Sequence, residues 1–261
     1  MATNKKNIEF TAKNVKAFTG WLKRFSTIDN SLLLEIDQQK MVFIAKTYNE
    51  ERSVVKMSSI KFDEAGLTIK DNKDSKRVKV GIFNIPRLIK IMDQFNDVEF
   101  TITIEYQEII SDIDTQYAGE KILLKNKNLK MNVDCTSLNI FKYIPDQLFI
   151  DSIATIETIG SFELNKATLE NINSLNSLDN DHRFMQIAFK EGEIKVSGKS
   201  YERILDITPG IFKNAELSIF KDQFVTLDNE NYDVNLGEDR LVFRSKDSET
   251  TTVISKAEDS D

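Results

Sequence analysis

A chain of 261 residues, 40% hydrophobic and 30% charged with only 9 Gly and 3 Pro, is excluded from the disordered class and is long enough to bury two cores of ordinary size. Its formal net charge of -7 is uneven: residues 1–150 carry 23 Lys plus Arg against 20 Asp plus Glu, and residues 151–261 carry 12 against 22. A single cysteine, Cys135, excludes an internal disulfide, and a single histidine, His182, excludes multi-histidine metal sites.

The first predicted element lies within FTAKNVKAFTGWLKRFSTI, residues 10–28. Val15, Phe18, Leu22 and Phe25 recur at helical spacing with Trp21 beside them, which makes an apolar core face. Lys13, Lys16, Lys23 and Arg24 share the other side, and no carboxylate occurs from Thr11 to Ser26. SLLLEID, KMVFIAKT and SVVKMSSIKF then read as a meander of strands, rich in β-branched and large apolar residues. Two more strands are predicted around the DNKDSK loop.

NIPRLIKIMDQF starts a second helix, with Asn84 as cap and Pro86 in its first turn. Ile85, Leu88, Ile91, Met92 and Phe95 form its apolar face, and Arg87, Lys90 and Gln94 its polar one. VEFTITIEYQ, EKILLKN and LKMNVDC are predicted strands. After the connecting stretch TSLNIFKYIPDQLFIDS the pattern starts again. FELNKATLENINSLNSL is a strand end plus helix, with Leu169, Ile172 and Leu175 lying 154 positions after Val15, Phe18 and Trp21. A hairpin follows around Glu191-Gly192, then KSYERILDI, a short helix in FKDQFVTLD, and final strands in NYDVNLGEDRLVFRSKDSETTTVISKA. Two halves with the same order of elements indicate a duplication. The predicted division is an N-terminal domain over residues 1–137, a connection over 138–152 and a C-terminal domain over 153–261.

Catalytic chemistry is thin. His182 sits among Asp and Asn residues of a turn. GEIKVSGKS has five residues between Gly192 and Gly198 where a phosphate cradle needs four, and it reads as a hairpin. Asp112 and Asp114 have calcium-loop spacing, but Tyr117 stands where that loop requires Gly. Cys135 has no base beside it and reads as a small buried hydrophobe. The expectation is a protein that is not an enzyme and needs no cofactor and no metal.

Duplicated halves of strands around helices, with bases gathered on the helices of an acidic protein, resemble the DNA sliding clamps, and within that family the clamps of T-even-type bacteriophages. The matching stretches are VKAFTGWLKRFSTIDNSLLLEIDQQKMVFIAKT, NIPRLIKIMDQFNDVEFTI, FELNKATLENINSLN and IAFKEGEIKVSGKS. The resemblance implies an α+β fold of two repeated clamp domains, with antiparallel sheets outside and helices lining a central hole, three subunits closing a ring. It implies a DNA polymerase processivity factor that encircles double-stranded DNA without sequence specificity, is placed by a clamp-loader ATPase, and has no membrane association. The start MATNKKNIEF lacks an apolar leader, so the expected place is the cytoplasm, of the host cell if the chain is viral. Two other classes stay open: a β-rich structural or scaffold protein of a virus, and a monomeric processivity factor with a basic DNA-binding face.

A sliding ring holds phosphates with long side chains and avoids base edges. The candidate DNA contacts are Lys13, Lys16, Lys23, Arg24, Arg87 and Lys90, with Lys166 in the second half and Lys5 and Lys6 assisting. The second-half helix departs from the pattern, since Glu170, Asn171, Asn173 and Asn176 stand where bases would. The resemblance also implies a pocket for a partner's hydrophobic peptide near the connection and the chain's end. Tyr143, Ile144, Pro145, Leu148, Phe149 and Ile254 either form it or pack the two domains together. For the subunit interface, Leu129, Lys130, Met131 and Val133 on one pairable strand are expected to meet Tyr201, Arg203 and Leu205 on another.

Overall fold

The computed structural model describes residues 6–70, 76–95, 98–110, 115–141, 156–179, 181–190, 192–206, 210 and 213–257. Two compact units emerge: Met1–Thr47 with Ser58–Ile144, and Tyr48–Met57 with Pro145–Asp261.

The first unit runs β1 (Lys6–Ala12), α1 (Lys16–Lys23), β2 (Leu32–Asp37), β3 (Val42–Tyr48), β4 (Val54–Lys61), β5 (Leu67–Ile69), β6 (Arg77–Ile82), α2 (Ile85–Asp93), β7 (Phe100–Ile110), β8 (Thr115–Lys125) and β9 (Lys130–Asp134), then a 3-10 turn at Leu138–Phe141. The far end of the β3–β4 hairpin, residues 48–57, is counted with the second unit. The basic opening segment is helical only from Lys16, because Ile8, Phe10 and Ala12 alternate into the core as a strand. Leu32, Leu34 and Ile36 fill the same core. Glu35 and Asp37, on the other face of β2, are buried and satisfied by Lys46 at 2.8 Å and Arg77 at 2.9 Å.

The second unit runs β10 (Gly160–Leu164), α3 (Lys166–Leu178), β11 (Phe184–Lys190), β12 (Glu193–Ser197), β13 (Glu202–Leu205), β14 (Ala215–Phe220), α4 (Lys221–Phe224), β15 (Tyr232–Leu236), β16 (Arg240–Ser245) and β17 (Thr250–Ser255). Its aromatic residues meet across the core, Phe162 against Phe189 and Tyr232 against Phe243. Strand β14 has no counterpart in the sequence reading. The short helix in FKDQFVTLD is a single turn.

The order strand, helix, three strands occurs not twice but four times: β1-α1-β2-β3-β4, β6-α2-β7-β8-β9, β10-α3-β11-β12-β13 and β14-α4-β15-β16-β17. In both units the first strand of each module pairs with the second strand of the other. β1 pairs antiparallel with β7 and β6 with β2 in the first unit; β10 pairs with β15 and β14 with β11 in the second. The modules of a unit therefore share their sheets and cannot be separated.

Candidate nucleic-acid interface

The side chain of Asn14 accepts from Lys16 N at 2.9 Å at the start of α1, and Val15, Phe18, Trp21, Leu22 and Phe25 are all buried below it. Trp21 is fixed by its indole N–H, which donates to Ser58 Oγ at 2.9 Å. Helix α2 is capped as its sequence indicates: Asn84 Oδ1 accepts from Arg87 N at 2.8 Å and Pro86 occupies the first turn. The two helices touch each other and seat on one core, so their other faces share a surface. Lys16, Lys23, Arg87 and Lys90 are exposed there, and none forms an ion pair among the described residues. Lys13, between β1 and α1, reaches Glu99 at 3.6 Å with both side chains exposed, a contact weak enough to be exchanged for a phosphate. Arg24 is half-buried. Lys6 is engaged across strands with Glu108 at 2.6 Å, and Lys5 lies outside the described residues.

The second unit is different. Asn165 caps α3, and its one base, Lys166, pairs with Asp247 at 3.2 Å. Asp247 also accepts from Asn231 N at 2.9 Å, and these hydrogen bonds hold its carboxyl below the usual carboxylate range. Glu170 accepts from Asn229 and Asn171 from Arg203. Asn176 is buried, accepting from the Tyr201 hydroxyl. Lys221, at the start of α4, is buried against Asp179 at 2.9 Å.

Strands β9 and β13 are each paired on one side, with β8 and with β12. Asn126 N donates to Leu129 O and Cys135 N to Glu120 O. With the β8–β9 register, these bonds turn the odd-numbered backbone groups of β9 toward β8. The outward groups are those of Lys130, Asn132 and Asp134. On β13, Gly198 N donates to Tyr201 O, so the outward groups belong to Glu202 and Ile204. The side chains expected at that edge are engaged in their own unit: Leu205 is buried, and Tyr201 and Arg203 bond to α3. In the second unit the equivalent last strand, β17, lies beside the chain entering β4, where Ser255 N donates to Ser53 O at 2.8 Å.

Of the expected peptide pocket, Tyr143, Ile144, Pro145, Leu148 and Phe149 lie outside the described residues. Ile254 is wholly buried in β17 opposite Leu241. An open groove of about 410 Å³ does lie within the first unit, between the β7–β8 face bearing Gln107, Ile109 and Gln116 and the segment Cys135–Asn139. Cys135 packs against the core, and burial first, then Asp134 and Glu120, push its thiol up to about 12. His182 follows α3 in a turn, its ring against Phe184. Residues 192–198 belong to the β11–β12 hairpin and the turn after it, with no helix following. No cluster of three metal-ligating side chains occurs among the described residues, and no described helix is long and apolar enough to cross a membrane.

No protein-family model matches the sequence, and no curated protein matches it. Solved structures do. The Entamoeba histolytica proliferating cellular nuclear antigen superposes with a TM-score of 0.62 at 12% identity, covering 96% of this chain and 99% of that one. The A. fulgidus PCNA, solved bound to the C-terminal region of FEN-1, gives a TM-score of 0.62 at 10% identity over 97% of this chain and 100% of that one. The H. pylori beta clamp gives 0.63 at 14% identity, over 97% of this chain and 64% of the longer clamp. The chain has the sheet-rich α+β fold of the sliding clamps.

Proposed function

We propose that this protein is a DNA sliding clamp, a processivity factor that encircles duplex DNA and tethers the replicative polymerase. The observation that carries this reading is the pairing of a clamp fold with two adjacent helices whose exposed bases, Lys16, Lys23, Arg87 and Lys90, have no carboxylate partner among the described residues. Long cations on a helix surface hold phosphates without reading bases, which is what sliding requires. Such a protein performs no chemistry of its own and acts in the cytoplasm where the replication machinery is. The stretches quoted above support a T-even-type bacteriophage clamp and hence a homotrimer placed by a loader ATPase.

Ring closure is proposed through β9 of one subunit and β13 of the next. Both are last strands of their modules, and among the described residues each pairs with a strand on one edge only. Such a contact is heterologous and closes when the rotation per subunit divides a full turn. Residues 143–149 are the proposed docking segment for the polymerase and loader, because Tyr143, Ile144, Pro145, Leu148 and Phe149 concentrate apolar side chains beside the connection.

The test is polymerase processivity at several salt concentrations with Lys13, Lys16, Arg87 and Lys90 all changed to Glu. Loss of processivity that low salt partly restores is expected; unchanged processivity removes the basic helices from the DNA path. Light scattering decides between the ring and a monomeric factor, since the ring has the mass of three 30.0 kDa chains.

A further inference from the structure

Resting on the clamp reading, we infer that duplex contact is confined to the first unit, to α1, α2 and Lys13 just before α1, and that the helical face of the second unit, Lys166 included, carries no phosphate contact. The inference comes from where each base spends its charge. In the first unit four exposed bases have no ion-pair partner among the described residues, and Lys13 has only an exposed carboxylate 3.6 Å away. In the second, Lys166 is neutralised by Asp247 at 3.2 Å, and that carboxylate is held in place by Asn231 N. Turning Lys166 toward a phosphate would leave Asp247 facing the same phosphate, so no net charge is gained. Lys221 is 8% exposed and donates to both the carbonyl and the carboxylate of Asp179, at 2.7 and 2.9 Å. Its ammonium is buried within the unit, against the residue that ends α3.

Besides Lys166, which is exposed but paired with Asp247, what the second unit's helices expose is acidic or neutral: Glu170 and Asp222, with Asn171, Ser174 and Ser177. Carboxylates at a surface repel a polyanion within a screening length of about 8 Å at physiological salt. The sequence-wide split, 23 bases to 20 acids before residue 151 and 12 to 22 after it, is the same asymmetry at the scale of the chain. A ring of such subunits would grip DNA at one patch per subunit rather than two.

Counterion release makes this measurable, because each phosphate contact contributes about 0.9 to the slope of log affinity against log salt. The experiment is fluorescence anisotropy of the full-length protein with a labelled blunt duplex across a potassium chloride series. Lys166→Ala with Asp247→Ala deletes the second unit's pair without changing net charge, and circular dichroism checks its folding. The expected result is an affinity within about twofold of wild type and an unchanged slope, while Lys16→Ala with Lys90→Ala lowers the slope by about 1.8 for each subunit that contacts the duplex. A fall of about 0.9 or more in the slope for the Lys166 and Asp247 variant overturns the inference. If the Lys16 and Lys90 variant keeps its slope as well, the failure belongs to the clamp reading of α1 and α2.

Discussion

The ammonium of Lys221, the first residue of α4, donates to the Asp179 carboxylate at 2.9 Å, and Asp179 is the residue that ends α3. Lys199 N at 2.7 Å and Ser200 Oγ at 3.0 Å reach the same carboxylate. One acid thus ties two helices to the turn that launches β13. The turn fits closely: a Cβ on Gly198 would stand 2.6 Å from Asp179 Oδ2.

The Lys221 hydrogen bond above all, opposed by burial, holds the Asp179 carboxyl at about 2, against an ordinary value of 3.8. A carboxyl lowered on folding stabilises fully above its unfolded value and loses that contribution as pH falls toward the folded one. Urea unfolding should therefore show wild type losing more stability than Asp179→Asn between pH 4 and about 2. Equal losses would show that the hub does not couple to folding. On the alkaline side Tyr201, raised to about 12 by burial and then by Asp179, favours the folded state less as pH climbs from 10 to 12.

On the proposed ring, the parity of β9 decides where a proline blocks subunit pairing. Met131 faces β8, opposite Leu124, so Met131→Pro removes a bond of the unit's own ladder, whereas Asn132→Pro removes an outward N–H. Asn132→Pro is expected to run as a monomer by light scattering with its circular dichroism unchanged. Met131→Pro is expected to lose stability as well. An Asn132→Pro trimer would place the interface on other strands.

Cys135 should be a poor nucleophile. With its thiol pushed to about 12 from 9.0, the thiolate at pH 8 is scarcer by about a hundredfold or more than in a free cysteine. Iodoacetamide labelling of the native protein should be slower than that of the urea-unfolded chain by at least this factor. Equal rates would mean the segment after β9 opens freely.

Gly81 admits the chain leaving β9. A Cβ there would lie 2.5 Å from Thr136 O and 2.9 Å from the Phe141 ring, so Gly81→Ala must displace the 3-10 turn. A cost of about 1 to 3 kcal/mol is expected from overpacking, read as a shift of the urea midpoint. Asn84→Ala, which removes the α2 cap, should cost about 1 kcal/mol.

The helices of the first unit were legible because their signals are local: apolar residues at turns of the helix, and Asn84 followed by Pro86. Strand β14 was not, since Ala215, Glu216 and Ser218 dilute the alternation of Leu217 and Ile219. The sequence shows the repeat as twofold because the four modules share an order of elements and few residues. The pairing of Lys166 was not legible because its partner, Asp247, lies 81 positions away. The burial of Ile254 follows from the pairing of β17 with β16, which nearness to the terminus does not reveal. The outward parity of β9 was readable in principle. The two residues between Asn126 and Leu129 form a hairpin loop, and that loop fixes which groups face β8.

The exchange of first strands between modules sets a timetable for synthesis. Lys6 pairs with Tyr106 and Ala12 with Phe100, so β1, which short β5 meets only over Phe10–Ala12, leaves the ribosome well before β7 exists. At about 5–20 residues per second, a gap of 88 to 100 residues keeps an apolar strand waiting roughly 5–20 seconds. The second unit repeats the delay between β10 and β15, over 68 to 76 residues. Nascent chains of this protein are therefore expected to engage holding chaperones at two separate moments of translation, each ending when a module's second strand arrives.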